Sequence, residues 1–284
     1  MASAAALACS ALGRVVGISA LEKIVQWPAD SISGALISPL GIATVGDTAR
    51  EYGIKSVTKP VVAMGIMLAV EEGAVELDQP AGPEGSTLRH LLSHASGVDF
   101  DSRDAKRPVE DRRIYSSAGY DWAADIVADA TGMPFGEYLQ EGLLKPLGMN
   151  STRLEGSAGH GLISSVGDLV KFASEVLNPR IIHEDTLAEM RTVQFPELRG
   201  IVPGYGMHRP CPWGLGFEIH GEKNPHWMGA NMPADAAGHF GMSGTYLWVA
   251  GDTAMVALTD RDFGEWAKPL WQETNEAIWA EIQS

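Results

Sequence analysis

The sequence predicts an α/β fold of the α+β kind, in which an antiparallel sheet is built from both chain ends, helices flank it, and a helical domain is inserted between the two sheet-forming parts. Three observations point there. Short β-prone runs bounded by turn residues occur near the start, in "SISGALIS" and "GIATVGDT", and return after residue 205 in "WGLGFEIHG", "GHFGMSGTYLWVAGD" and "TAMVALTDR". Between them, roughly from 74 to 200, apolar residues recur at helical spacing behind a Ser, Thr or Pro. The chain has 284 residues, 45% of them hydrophobic, and neither an internal repeat nor a low-complexity linker, which suits one large domain or two intimately packed ones. Such an arrangement places a cleft at the seam.

Each element follows from local pattern. The stretch 1–17 begins "MASAAALACSAL" and reads as an N-terminal extension, not an export signal: no basic residue precedes the short apolar run, and Arg14 interrupts it before any small-x-small cleavage site. "ALEKIVQW" over 20–27 predicts a helix that Pro28 stops, and the two strand runs that follow, separated by Pro39 and Gly41, predict a hairpin. From Ser56, "SVTKPVVAMGIMLAVEEG" predicts a long apolar helix ended by Gly73, with Pro60 in the first turn where its missing N–H does least harm. Four more helical segments follow: "STLRHLLSH", "GYDWAADIVADATG", "PFGEYLQEGLLKPLG" and "SVGDLVKFASEVL". The chain closes on a helical pattern over 262–283, with Phe263, Trp266, Leu270, Ile278 and Trp279 near one face and Pro269 as a kink or restart. This divides the chain into a sheet subdomain from 18–55 and 205–284 and a helical subdomain over 56–204.

Composition limits the partners. A formal net charge of -15 and no run of Lys or Arg argue against nucleic acid or an anionic membrane surface, and favour a neutral or cationic small-molecule substrate. Two cysteines, Cys9 and Cys211, make neither a disulfide framework nor a paired zinc motif. With no stretch long enough to span a bilayer, the default location is cytoplasmic; the oligomeric state stays open.

Ser56 and Lys59 carry the chemistry of interest. At i and i+3 they share a helix face, and Ser56 sits at the helix start, where free N–H groups and the dipole favour a developing oxyanion. A serine hydroxyl needs a base to take its proton, and a lysine can be that base only if its surroundings ease deprotonation. An N-cap serine followed by a solvated lysine would give the same letters. Further along, "RRIYSSAGY" offers Tyr115 and Ser117, and "GHFGMSGTY" offers His239, Gly241 and Ser243 on a strand. Other patterns point elsewhere only weakly. Among the eight histidines, His90 and His94 lie four apart in "HLLSH", where Leu91 and Leu92 favour packing or loop hydrogen bonding over a metal. There is no Gly-x-Ser-x-Gly elbow and no nucleotide-binding glycine motif, and no cofactor is called for. Tyr205, Trp213, Phe217, Trp227 and Trp248 either line an apolar acyl pocket near the third motif or, as is more usual for strand aromatics, belong to the core, and the polar loop 221–237 reads as either a cleft flank or a surface hairpin.

Taken together, "SVTK" at 56–59, "TLRHLLSHASGV" at 87–98, "YSSAGY" at 115–120, "PLGMNSTRL" at 146–154, "GLISSVGDLVKFA" at 161–173 and "GHFGMSGT" at 238–245 resemble, in order, the signposts of the Ser-x-x-Lys serine hydrolases. These are the class C β-lactamases, D-Ala-D-Ala carboxypeptidases, penicillin-binding proteins and esterases. The resemblance covers nearly the whole chain, is greatest to the small bacterial β-lactamase-like hydrolases with short loops, and implies a β-lactamase/transpeptidase-like fold. It implies Ser56 as the acylated nucleophile, Lys59 as its activating partner, and Tyr115 as the second base and proton shuttle to the leaving group. His239 would line the site opposite Tyr115, the N–H groups of Ser56 and Met242 would form the oxyanion hole, and Gly241 would leave room for substrate along the strand.

Three departures qualify it. Ser117 stands where the family often has Asn, and Phe240 where it often has Thr, so both become candidate substrate-binding positions of altered chemistry, with Ser243 nearby. Lys55 precedes the nucleophile where a small residue is usual; it either assists deprotonation of Lys59 or points into solvent. The expected activity is hydrolysis through an acyl-enzyme on Ser56, on small esters first, then D-amino-acid peptides and other amides, with weak or no action on β-lactams. The alternative is a non-catalytic scaffold that binds a ligand or partner.

Overall fold

A computed structural model describes residues 19–284; the expected extension over 1–17, with Cys9, lies outside them. Ser19–Gln26 is helical as the spacing predicts, but as a 3-10 helix, burying Ala20, Leu21 and Ile24. The hairpin follows as β1 (Ile32–Ser38) and β2 (Gly41–Val45), then a short β3 (Glu51–Gly53). A 3-10 turn over Lys55–Val57 leads into α1 (Thr58–Glu71), whose residues from Thr58 to Ala69 are all buried. A helix apolar on every side belongs at the centre of a domain, and α1 is packed accordingly.

Around it lie α2 (Leu88–Leu92), α3 (Ala118–Thr131), α4 (Phe135–Leu139), which runs on into a π turn over Gln140–Leu144, the short strands β4 (Arg153–Leu154) and β5 (Leu162–Ser165), α5 (Val166–Leu177) and α6 (Glu184–Arg191). The hairpin β6 (Gly200–Val202) and β7 (Gly206–His208) precedes β8 (Glu218–Ile219), β9 (Ala237–Gly241), β10 (Thr245–Ala250), β11 (Thr253–Thr259) and α7 (Ala267–Ile282).

The principal sheet has the order β2-β1-β11-β10-β9-β8 and is antiparallel throughout. Within it β1 pairs with β11, in register from Ile32↔Thr259 to Ile37↔Ala254, so the two chain ends meet there as the sequence predicts. Side chains alternate between two cores. Leu247 and Val249 join α1 and α5 on one face, while Tyr246 and Trp248 face α7 and the 3-10 helix on the other.

Several expectations need correction. The strands β3, β5 and β4 form a separate small sheet, too short for any period to register, and α6 went unrecognised because "EDTLAEMR" is mostly polar. "STLRHLLSH" yields only five helical residues, opened by a capping box in which the Thr87 N–H donates to His90 Nδ1 at 3.1 Å. "WGLGFEIHG" yields a two-residue strand. Pro269 neither kinks nor restarts α7, because it falls in the first turn. The loop 221–237 packs on α7, where Gln272 donates to the His226 carbonyl at 2.8 Å and the Ala230 N–H to Glu276 at 2.7 Å. No helix among the described residues is long and apolar enough to cross a membrane.

Candidate active site

The seam between sheet and helices holds a cavity of about 250 Å³ lined by Ser56, Phe100, Tyr115, Pro203, Trp213, Glu218, His239, Phe240 and Met242. Residues distant in sequence meet there, including five to which the sequence assigns site roles from three motifs: Ser56, Tyr115, His239, Phe240 and Met242.

Ser56 is held by the backbone on either side. The Ile54 N–H donates to the Leu162 carbonyl at 3.0 Å, and the Leu162 N–H donates to Thr58 Oγ1 at 3.0 Å, which fixes the helix start to β5. From the sheet side, Thr245 Oγ1 donates to the Ile54 carbonyl at 3.0 Å and Ser243 Oγ to the Gly53 carbonyl at 2.6 Å. These bonds tie the β9–β10 turn, which carries Met242, to the segment before the nucleophile. Ser243 therefore holds the scaffold, and its hydroxyl is not among the groups that line the cavity. Gly241 also differs from expectation: a Cβ there would lie 2.4 Å from the Ile54 carbonyl oxygen and 3.2 Å from Lys55 Cβ. Its missing side chain makes room for the protein's own backbone, not for substrate. Lys55 has a left-handed φ of 47° and an exposed side chain, which favours the solvent reading over assistance to Lys59.

Lys59 is fully buried beneath the cavity. Its Nζ donates to Ser117 Oγ at 3.1 Å and to the Gly159 carbonyl at 2.8 Å, and lies 4.6 Å from the centroid of the Tyr115 ring. Burial lowers its pKa to about 7, against a smaller opposing pull from Asp121. A useful fraction of the amine is neutral near pH 7. Ser117, shorter than the family's Asn, still binds the lysine, and Gly159 supplies a second acceptor. A Cβ on Gly159 would sit 2.7 Å from Ser117 Cβ, so only glycine lets this carbonyl in. The loop that carries it is anchored by Asp121, which accepts from Ser157 Oγ at 2.8 Å and from the Ala158 N–H at 2.7 Å.

On the opposite wall, Tyr115 Oη lies 3.3 Å from His239 Nε2, and His239 Nδ1 lies 2.7 Å from the Phe240 carbonyl. A carbonyl only accepts, so Nδ1 carries the proton and Nε2 accepts from the tyrosine. Burial, with Lys59 nearby, depresses the imidazole to about 3, keeping it neutral. Burial raises the Tyr115 hydroxyl well above the usual tyrosine value, opposed in part by the neighbouring Ser56 hydroxyl. The hydrogen bonds from the tyrosine thus run in one direction: Tyr115 to His239, His239 to backbone. His94 supports the tyrosine from behind, its ring 4.6 Å away, with Nδ1 accepting from the Ser116 N–H at 3.2 Å. His90 instead bridges Thr87 and Glu110, so the pair four apart serves packing and loop hydrogen bonding.

Glu218 lines the cavity from below and is 1% exposed. Burial would raise its carboxyl, but Lys223 Nζ at 3.1 Å, His226 Nε2 at 3.0 Å and Trp227 Nε1 at 2.8 Å hold it well below the usual carboxylate range. Phe240 packs among Phe263, Trp271 and Trp227 at ring distances of 5.0, 5.8 and 5.9 Å, so its bulk belongs largely to the core. Sequence reasoning missed Gly159, Asp121, Phe100, Pro203 and Glu218. Three glycines within residues 156–161 were the one signal for the Gly159 loop.

Comparison with known proteins bears on the fold and the family. The family model described as Beta-lactamase matches residues 51–271. A crystal structure of a beta-lactamase from Mycobacterium bovis superposes with a TM-score of 0.91 at 47% identity, covering 94% of this chain and 100% of that one. Penicillin-binding protein 4* of Bacillus subtilis strain 168 is 28% identical over 136 residues, 36% of this chain and 30% of that protein; the chain spans about a third of the length of the curated relatives it matches. The octameric penicillin-binding protein homologue from Pyrococcus abyssi shares the fold, with a TM-score of 0.70 at 21% identity over 91% of this chain and 74% of that one.

Proposed function

The chain belongs to the beta-lactamase family, and from that premise we propose that it is a serine hydrolase that forms an acyl-enzyme on Ser56. The observation that carries the reading is a cavity that Ser56, Tyr115 and His239 line together, with a depressed, fully buried Lys59 amine 4.6 Å from the Tyr115 ring and the tyrosine hydrogen-bonded to His239.

Neutral Lys59 takes the proton of Ser56, directly or through Tyr115, as Oγ attacks the substrate carbonyl. The N–H groups of Ser56 and Met242 receive the oxyanion. Collapse of the tetrahedral adduct breaks the bond to the leaving group, which takes its proton from Tyr115; Tyr115 is replenished from protonated Lys59. Water then attacks the acyl-serine with the same groups acting in reverse. His239, neutral and accepting, orients the Tyr115 hydroxyl.

The substrate reading follows from the walls. Phe100, Pro203, Trp213, Phe240 and Met242 are apolar, the lining has no Arg or Lys, and Glu218 is already paired. Uncharged esters come first, then D-amino-acid peptides, then β-lactams, which the description of the Mycobacterium bovis relative keeps in the panel. The alternative of a non-catalytic binding scaffold loses support at Ser117, whose hydroxyl still binds Lys59.

Intact mass after exposure to a fluorophosphonate, for wild type and Ser56→Ala, tests the proposal, with turnover of p-nitrophenyl acetate and a chromogenic cephalosporin alongside. One adduct lost in the variant, with ester turnover, is the expected result. A folded wild type that takes no adduct favours the scaffold.

A further inference from the structure

Beyond Tyr115 the cleft continues into a second cavity of about 280 Å³, lined by Phe100, Arg112, Arg113, Ile114, Tyr115, Ile201, Pro203 and Met207. It shares Phe100, Tyr115 and Pro203 with the chamber at Ser56, so those side chains stand between two parts of one cleft. The rim is unusual for its apolar exposure. Of the seven large hydrophobic side chains exposed among the described residues, four surround this cleft: Phe100 at 50%, Met242 at 50%, Ile201 at 54% and Met207 at 39%. Scattered exposed apolar residues need no explanation, but most of them gathered around one opening mark a binding surface.

We infer that the outer chamber is a subsite for the distal part of an apolar chain, so that the substrate is an uncharged ester carrying a medium-length hydrocarbon segment. This rests on the hydrolase reading above. Of the two arginines in the chamber, Arg113 is buried and donates to backbone carbonyls, including Ser93 at 2.8 Å and Cys211 at 2.5 Å, so it shapes the wall. Arg112 has no hydrogen bond or ion pair among the described residues, and its Nε is buried without a partner. An anionic chain end is therefore the competing occupant. The hairpin β6–β7, which carries Ile201 and Met207, and the shared Phe100 favour the hydrocarbon, since most of the chamber's wall offers a chain nothing but apolar contact.

Burying one methylene is worth about a fourfold gain in kcat/KM when the contact is made in the transition state. The test is kcat/KM for p-nitrophenyl acyl esters from acetate to decanoate and for n-alkyl acetates, in wild type and in Ile201→Ser/Met207→Ser. A rise of about fourfold per carbon up to roughly C8 in either series, with the octyl-to-methyl ratio falling at least tenfold in the double variant, is expected. A flat wild-type series overturns the inference and needs no variant to do so. So does a tenfold preference for an ω-carboxylate ester over its neutral analogue that vanishes in Arg112→Gln. Calorimetric binding of N-methyloctanamide against N-methylacetamide to Ser56→Ala separates the two claims. Chain-length-dependent binding without wild-type turnover sinks the hydrolase reading alone, whereas turnover with no chain-length effect sinks the subsite alone.

Discussion

Tyr115 Oη and His239 Nε2 lie 3.3 Å apart, and the imidazole that accepts this hydrogen bond is locked in one tautomer by the Phe240 carbonyl. The two residues thus have separable roles. Tyr115→Phe removes the hydroxyl that moves the proton and should lower kcat by about 10²–10⁴. His239→Ala leaves a buried phenol without its acceptor and should lower kcat about tenfold by loss of orientation. Because His239 is depressed to about 3, its removal leaves the pH–rate profile between 5 and 9 in place. A displacement of that profile by a full unit in His239→Ala would make His239 the titrating base and end this assignment.

The profile itself belongs to Lys59. Its amine accepts a proton only when neutral, so kcat/KM should rise as pH passes through about 7 and stay high beyond it, the Tyr115 hydroxyl being raised above the ordinary tyrosine range. The same shift links to stability. A lysine depressed from 10.5 to about 7 binds fewer protons folded than unfolded within that window, so its contribution to stability improves as pH rises from 7 to 10.5 and is worst below 7. The gain in Tm between pH 6.5 and pH 9 should be larger in wild type than in Lys59→Met. An acidic limb near pH 5 would contradict the first statement, and an equal gain in Tm in Lys59→Met the second.

Gly159 is predicted to be as sensitive as a catalytic residue although it touches no substrate. Gly159→Ala drives a methyl group to 2.7 Å from Ser117 Cβ, displacing the carbonyl that orients Lys59. A fall in kcat of at least tenfold with KM little changed is expected. Ser117→Ala, which removes one of the two acceptors and adds no bulk, should cost less. Equal losses in the two variants would show that the loop's position is unimportant.

These residues also mark what the sequence could reveal. Ser56, Lys59, Tyr115 and His239 were legible because each sits in a short motif with a distinctive spacing, and the sheet was legible because β1, β10 and β11 are continuous apolar runs. Gly159 and Glu218 were not. The first acts through a backbone carbonyl, which leaves no side chain to recognise, and the second through partners set only by tertiary packing. Gly241 was recognised as essential for a reason the structure replaces: the backbone at Ile54 fills the space assigned to substrate. The small sheet was lost because β3, β4 and β5 have two to four residues each, too few to establish alternation.

Lys55 holds a left-handed φ of 47° immediately before the nucleophile, with its side chain in solvent. Lys55→Gly relieves that conformation at the cost of a more flexible unfolded chain, and should stabilise the protein by about 0.5–1 kcal/mol. Lys55→Ala should leave the acidic limb of the pH–rate profile where it is. A shift of that limb would restore the electrostatic role that an exposed side chain argues against.

Glu218 and Lys223 form an ion pair with both side chains almost wholly excluded from solvent, at 3.1 Å, on the floor of the cavity. Separating the partners should be far more damaging than replacing them. Glu218→Gln strands an ammonium that also binds the Pro212 carbonyl at 3.0 Å, and should cost about 3–5 kcal/mol. Glu218→Leu/Lys223→Met removes both charges and should recover most of that loss, because a well-packed apolar pair avoids the desolvation penalty. Acid should act through the same pair. The carboxyl is held below its unfolded value, so its contribution is complete above about pH 4.5 and is lost as pH falls below that. Thermal midpoints of the three proteins at pH 7 and pH 3.5 decide the matter. If the double variant is less stable at pH 7 than the single one, the pair is a net stabiliser. If it recovers stability yet loses ester turnover, then the carboxylate that lines the cavity with Trp213 and His239 is retained for the electrostatics of the site and not for the fold.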